Sequence, residues 1–163
     1  MANWREVTES APEFAARVRE SFEAHKHKTI ATLRKDGAPR VSGIEAYIID
    51  DELWFGSMPG ALKARDLLRD PRFALHGPPV LLNADDSPTS PGDTKLSGYA
   101  VEVTDRDRLT PMLAARGFGP DAFRDSHFFM ADIREIALTH IEGSAMVIDL
   151  WRPGGELRRF TRS

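Results

Sequence analysis

The strongest constraint in this chain is a run of short apolar alternations broken by tight-turn pairs. Thr29-Ile30-Ala31-Thr32-Leu33 is β-branched and alternating, and Asp36-Gly37 follows it. Glycine accepts positive φ at no steric cost, so that pair predicts a reversal of direction. A second strand is expected from Arg40 to Ile49, a turn at Asp50-Asp51, and a third strand over Leu53-Trp54-Phe55. Consecutive strands joined this closely can only pair antiparallel, as a meander.

Further strands are expected at Arg72–His76, Lys95–Thr104, Ile133–Ile141, Ala145–Trp151 and Leu157–Thr161. In the Lys95–Thr104 strand, Leu96, Tyr99, Val101 and Val103 are the expected buried positions. Helical spacing appears in four places. Ser10 and Glu13 have capping-box spacing, and Phe14, Val18 and Phe22 form a stripe ending near His25. A short helix over Ala61–Arg69 is stopped by Asp70-Pro71. Arg108–Arg116 reads as a helix and Asp121–Phe129 as a further helical turn. Residues 77–93 carry Pro78, Pro79, Pro88 and Pro91 and read as a loop, or as a lid over a site. The regular β-α-β alternation of a parallel sheet is absent, so a mainly β, small antiparallel barrel of six to eight strands with peripheral helices is expected.

The 163 residues make one domain, 1–163, with an N-terminal helix; 41% are hydrophobic and 29% charged, enough to build a core. Lys and Arg number 22 against 25 Asp and Glu, a net charge of −3, which argues against nucleic-acid or membrane-surface partners. Cysteine is absent, which removes disulfides, thiolate metal sites, iron–sulfur clusters and a thiol nucleophile. No apolar run reaches a membrane span, and Met1–Ser10 lacks the basic-then-apolar pattern of a signal peptide, so a cytoplasmic address is expected.

Chemistry is sparse. No Gly-x-Ser-x-Gly elbow is present, and Asp85, Asp86 and Asp93 lack calcium-loop spacing. His25, His27 and His76 fit no zinc spacing, so no metal is expected; His127 and His140 read as packing or interface residues. The most informative segment runs from Phe55 to Arg72. A strand passes through Gly56-Ser57-Met58-Pro59-Gly60 into a helix carrying Lys63 and Arg65. Free amides at a helix start, a hydroxyl and nearby cations suit a phosphate. The same pattern suits a capped surface helix with solvated basic residues.

That segment, with its Lys-x-Arg, Asp-Leu-Leu-Arg-Asp-Pro-Arg order over 63–72, resembles the phosphate-binding turn and helix of the pyridoxamine 5′-phosphate oxidase-like, FMN-binding split-barrel family. Upstream, Lys28–Ser42, with Ala31-Thr32 before Asp36-Gly37-Ala38-Pro39, is similar to the opening hairpin of that family. The resemblance implies an antiparallel split β-barrel and a homodimer with cofactor sites at the subunit interface. It implies FMN or the deazaflavin coenzyme F-420 as cofactor. By position it assigns Lys63, Ser57 and Arg65 to the cofactor phosphate. It places Arg40, Val41, Ser42 and Gly43 along the isoalloxazine ring, and gives Gly56 the close backbone approach.

Read without the family, Val41 is core, Arg40 a solvated strand end and Gly43 a bulge. Many relatives carry another cation before the matching lysine, where this chain has Pro59-Gly60-Ala61. One fewer charged contact should weaken phosphate binding by ~1–3 kcal/mol. The tail from Asp149 to Arg159 resembles that of true pyridoxamine-phosphate oxidases but lacks the histidine and alters the arginine spacing, which argues against that activity. The tail's four arginines (152, 158, 159 and 162) suit a solvated last strand, or closure over an anion.

The expected function is a flavin- or deazaflavin-dependent oxidoreductase moving a hydride to or from a small organic substrate. The alternatives are a non-enzymatic flavin, deazaflavin or haem carrier on the same dimeric barrel, or a scaffold without cofactor. Trp54, Tyr99, Phe128, Phe129 and Trp151 are the candidates for an apolar pocket wall. A Trp- and Phe-rich exterior is the expected motive for dimerisation.

Overall fold

The computed structural model describes residues 1–78 and 91–162. Most of the proline-rich loop, with Asp85, Asp86 and the lid reading, therefore lies outside the described residues. Among the described residues there are eight strands: β1 His27–Leu33, β2 Pro39–Ile49, β3 Glu52–Ser57, β4 Arg72–His76, β5 Asp93–Glu102, β6 His127–Glu142, β7 Ala145–Trp151 and β8 Arg158–Arg162. The described residues also form four helices: α1 Trp4–Ser10, α2 Pro12–Glu23, α3 Leu62–Arg69 and α4 Arg106–Ala115. The sheet order is β3-β2-β1-β4-β5-β6-β7-β8, and β3 also pairs with β6. Six strands thus close an antiparallel barrel, and β7 and β8 extend the sheet beyond it. The mainly β barrel expected from the turn pattern is what forms.

The turns act as expected. Gly37 has φ +84°, and Asp50 and Asp51 have φ 49° and 61°. Ile49 faces Glu52 across that two-residue loop, the left-handed hairpin geometry that matches strand twist. Aspartate takes this conformation more readily than most non-glycine residues. Inside the barrel, Phe55 lies 5.1 Å from Phe73 and 5.7 Å from Phe129, centroid to centroid. Ile30, Leu53, Leu75, Ile133 and Ile136 complete this interior.

The N-terminal segment departs from expectation. It forms two helices, and α2 starts at Pro12 after an Ala11 cap with no side-chain bond. Ser10 is the last residue of α1; its hydroxyl donates to the Glu6 carbonyl at 2.6 Å and accepts from Trp151 Nε1 at 2.8 Å. The capping role falls instead to Asn3, on α1.

In β5 Leu96 is buried, as is Val103 just beyond it, but Tyr99 and Val101 face outward. Side chains alternate along a strand, so Leu96 and Tyr99 cannot share a face. Opposite them β6 carries an extra residue: Ser97 pairs with Glu135 but Gly98 with Ile133. The backbone then approaches so closely that a Cβ at Gly98 would lie 2.1 Å from the Asp132 carbonyl oxygen. The helical turn expected to reach Phe129 ends earlier, because β6 begins at His127.

The exterior is not Trp-rich: Trp4, Trp54 and Trp151 are all buried. Trp54 lies outside the barrel wall but under α4, packed with Leu109, Leu113, Phe128 and Met130 in a second small core. The tail forms the solvated last strand, exposed throughout β8, with Arg159 bound to the buried Asp149 at 2.8 Å. No helix among the described residues is long and apolar enough to cross a membrane.

Candidate functional site

Beside the small core under α4, the outer wall of the barrel opens into a cleft of about 550 Å³. Its floor is the outward face of β2 and the end of β3. In β2 the inward side chains are Ile44, Ala46 and Ile48, so Gly43, Glu45 and Tyr47 face outward. Cross-strand register sets Gly56 of β3 opposite Phe128 of β6, and both line the cleft.

One end gathers groups that suit an anion. Lys63, in the first turn of α3, donates from Nζ to the Gly43 carbonyl at 2.8 Å and holds further N–H donors in reserve. No side chain caps the start of α3, and no acidic residue lies in its first turn. Ser57 is buried, and its hydroxyl has no hydrogen-bond partner among the described residues. An unpaired buried hydroxyl is costly, so such a group points to a missing partner. A side chain at Gly43 would meet nothing within 4 Å, so the backbone there is left bare to the cleft. At Gly56 a Cβ would press on the Phe128 ring at 3.3 Å. The hydroxyl, the ammonium and the uncapped helix start fit the phosphate of a flavin-type cofactor.

The structure brings together Gly43, Gly56, Ser57 and Lys63 and places the other expected residues elsewhere. Arg40 binds Asp66 at 2.6 Å and Ser42 shares its inward side of β2, so neither lines the cleft. Val41 is 70% exposed on the outer sheet face, and Arg65 lies on the exposed side of α3 near Gly60. Asp66 explains the position of Arg40. Buried, it also accepts from Thr32 Oγ1 at 2.9 Å and Arg69 Nη2 at 3.1 Å, fastening α3 to the barrel end. Burial alone would raise its pKa, but the bonds from Arg40, Arg69 and Thr32 hold it below the usual aspartate value.

Apart from Phe128, the opposite end and the far wall were not visible in the sequence. Phe118 and Phe123 stand edge to face with centroids 4.9 Å apart. They line the cleft together with Phe128 and Met58, and of the aromatics expected as a wall only Phe128 does so. At this end Tyr47 Oη donates to Glu45 Oε2 at 2.5 Å, and Arg116 stacks on the Tyr47 ring at 4.2 Å. The Tyr47 bond, aided by Lys26 and Arg116, lowers the Glu45 pKa; burial and Glu45 raise that of Tyr47. The outward alternation of β2 could have revealed Glu45 and Tyr47. No local signal marks Arg116 or the two phenylalanines. Among the described residues no group of three or more His, Asp or Glu gathers as a metal set.

Residues 14–140 match the family model described as pyridoxamine 5′-phosphate oxidase. The chain belongs to this family. No curated protein matches it by sequence. Solved structures share its fold. A pyridoxamine 5′-phosphate oxidase-related, FMN-binding protein from Nostoc punctiforme has TM-score 0.61 and 12% identity, covering 100% of this chain and 98% of its own. An F-420 reductase has TM-score 0.51 and 18% identity, over 72% and 94%. A haem-binding protein from Mycobacterium smegmatis has TM-score 0.58 and 15% identity; 91% of this chain matches 57% of that longer one. The family and the split-barrel fold are therefore those that the Lys28–Ser42 and Phe55–Arg72 motifs implied.

Proposed function

We propose that this family member is an oxidoreductase that holds FMN or the deazaflavin F-420 in the cleft and acts on a small organic substrate. The observation that carries the reading is the buried, unpartnered Ser57 hydroxyl beside Lys63. Lys63, Ser57 and the first amides of α3 would hold the cofactor phosphate, and bare backbone at Gly43 and Gly56 would pass beneath its ring system. The bound cofactor supplies the hydride chemistry; the chain supplies binding and orientation. Lys63 neutralises the anionic end. Phe118, Phe123 and Phe128 exclude water from one side of the cleft. The Asp66 network fixes α3, and with it the position of Lys63.

We also propose that a second copy of the chain completes the site. The outer face of β1, β2 and β4 next to the cleft presents Thr29, Ala31, Val41 and Ala74, a flat surface of short side chains. Val41 at its centre is largely exposed. The surface is continuous with the cleft floor through Gly43, opposite Thr29.

Titration of the pure protein with FMN and with F-420 tests the reading. One of them should bind, and Lys63→Ala should weaken it by about 10–100-fold, as expected for one charged hydrogen bond, with the thermal melt unchanged. Failure of both cofactors to bind removes the redox reading. One observation favours a haem carrier instead: His27 lies on the cleft rim, exposed and available as an axial ligand. A Soret band on adding haem, lost in His27→Ala, would select that alternative.

A further inference from the structure

The second pole of the cleft is cationic and only partly committed. Arg116 is mostly buried, with its side chain 16% exposed. It is held in place by stacking on Tyr47 and by lying over the Phe118 ring at 5.3 Å. Both of its side-chain hydrogen bonds leave from Nη2, to Tyr47 Oη at 3.2 Å and Glu45 Oε2 at 3.4 Å. The Nε and Nη1 hydrogens have no protein acceptor among the described residues. Nη1 alone offers two of these hydrogens, and charged donors of this kind suit a carboxylate oxygen.

The charge balance selects the acceptor. Lys26 and Arg116 stand against Glu45, whose Oε1 lies 3.4 Å from Lys26 Nζ. The pole therefore keeps one net positive charge. A monoanion neutralises it, whereas a phosphate dianion beside the Glu45 carboxylate would be over-charged. The adjoining wall is aromatic, formed by Phe118, Phe123 and Phe128.

We propose that Arg116 is the seat of a substrate carboxylate, so that the cleft takes a monoanionic acid with a planar, unsaturated body lying against Phe118 and Phe123. The inference names a substrate class for the site proposed above and rests on that reading for the reaction. Binding of the acid itself does not depend on it. Glu45 and the Tyr47 ring are positioning groups: the ring aims the guanidinium by stacking, and Glu45 keeps Nη2 occupied.

The test is calorimetric titration of the full-length protein with trans-cinnamate and with its uncharged amide, without cofactor and with FMN. The acid should bind about tenfold tighter than the amide, a ratio typical of one charged contact. Arg116→Gln should abolish that ratio. Tyr47→Phe, which keeps the ring under the guanidinium, should preserve it. Phe118→Ala should weaken both ligands alike. Should Arg116→Gln prove unfolded, Arg116→Lys keeps the charge without the guanidinium stacked on Tyr47 and its Nη1 donors, and should reduce the ratio while the melt is retained. Equal binding of acid and amide, no binding of either, or a ratio that survives both Arg116 variants overturns the proposal. So does phenyl phosphate binding more tightly than cinnamate. Lys63→Ala should leave the ratio unchanged. If neither cofactor binds but the ratio holds, the redox reading fails and the carboxylate seat stands.

Discussion

Ser57→Ala should move stability and ligand affinity in opposite directions. In the free protein the Ser57 hydroxyl is buried without a partner among the described residues. Leaving such a group unsatisfied costs ~1–3 kcal/mol, less whatever water recovers. Removing the oxygen deletes that penalty and only a small packing volume. The cofactor-free variant should therefore gain about 1 kcal/mol, a rise of about 2–4 °C in Tm for a chain of this size. With the cofactor bound, the same hydroxyl would donate to a phosphate oxygen in a charge-assisted hydrogen bond. Its loss should cost ~1.5–3 kcal/mol of binding, about 10–100-fold in Kd. Thermal melts without ligand, paired with calorimetric titration of FMN and F-420, read both quantities on one preparation. A serine that served only the fold would show the reverse pattern. A lower ligand-free Tm together with an unchanged Kd refutes the assignment.

Other expectations follow from the same geometry. Gly43→Val should leave the melt within about 1 °C, because the added atoms meet open space in a strand that favours β-branching, yet it should abolish cofactor binding by filling the cleft floor. Asp66→Asn should destabilise the fold by about 2–4 kcal/mol by unpairing Arg40 and Arg69, read by urea denaturation. Because the folded-state pKa of Asp66 is depressed, its contribution is fully present above about pH 5 and is lost as pH falls through 3.8 and below. The gap between wild type and Asp66→Asn should close over that acid range, and a gap independent of pH would contradict the ion network. Val41→Glu should convert a two-chain mass in light scattering to one chain and weaken cofactor binding with it.

The sequence was a good guide where local rules decide the outcome. Strand limits at Arg72–His76 and Ala145–Trp151, the Asp36-Gly37 and Asp50-Asp51 turns, and a helix closed by Asp70-Pro71 all depend on neighbours within a few residues. Half of the anion pole was equally legible, because Ser57 and Lys63 sit on one strand–loop–helix segment. What was not legible depends on distant pairing. The facing of Tyr99 and Val101 follows from strand parity, and the extra residue lies in the partner strand, at Arg134. Ser10 looked like a cap because its spacing from Glu13 is right, but Trp151 claims its hydroxyl. Arg40 looked free until Asp66, on a helix folded over the barrel end, gave it a partner. Apart from Phe128, the far wall comes from residues 116–126, which no motif links to β2.

The floor of the cleft coincides with the seam of the barrel. Gly56 and Ser57 belong to the short β3–β6 pairing, in which Phe55 meets Phe129. These are partners far apart along the chain, and contacts of that kind are slow to assemble. A collapsed intermediate with its hairpins in place but the ring still open would have no recess to offer, so ligand capture should be among the last properties a refolding chain acquires. A coloured cofactor would then report closure itself, and its release on heating should track the parting of those two strands.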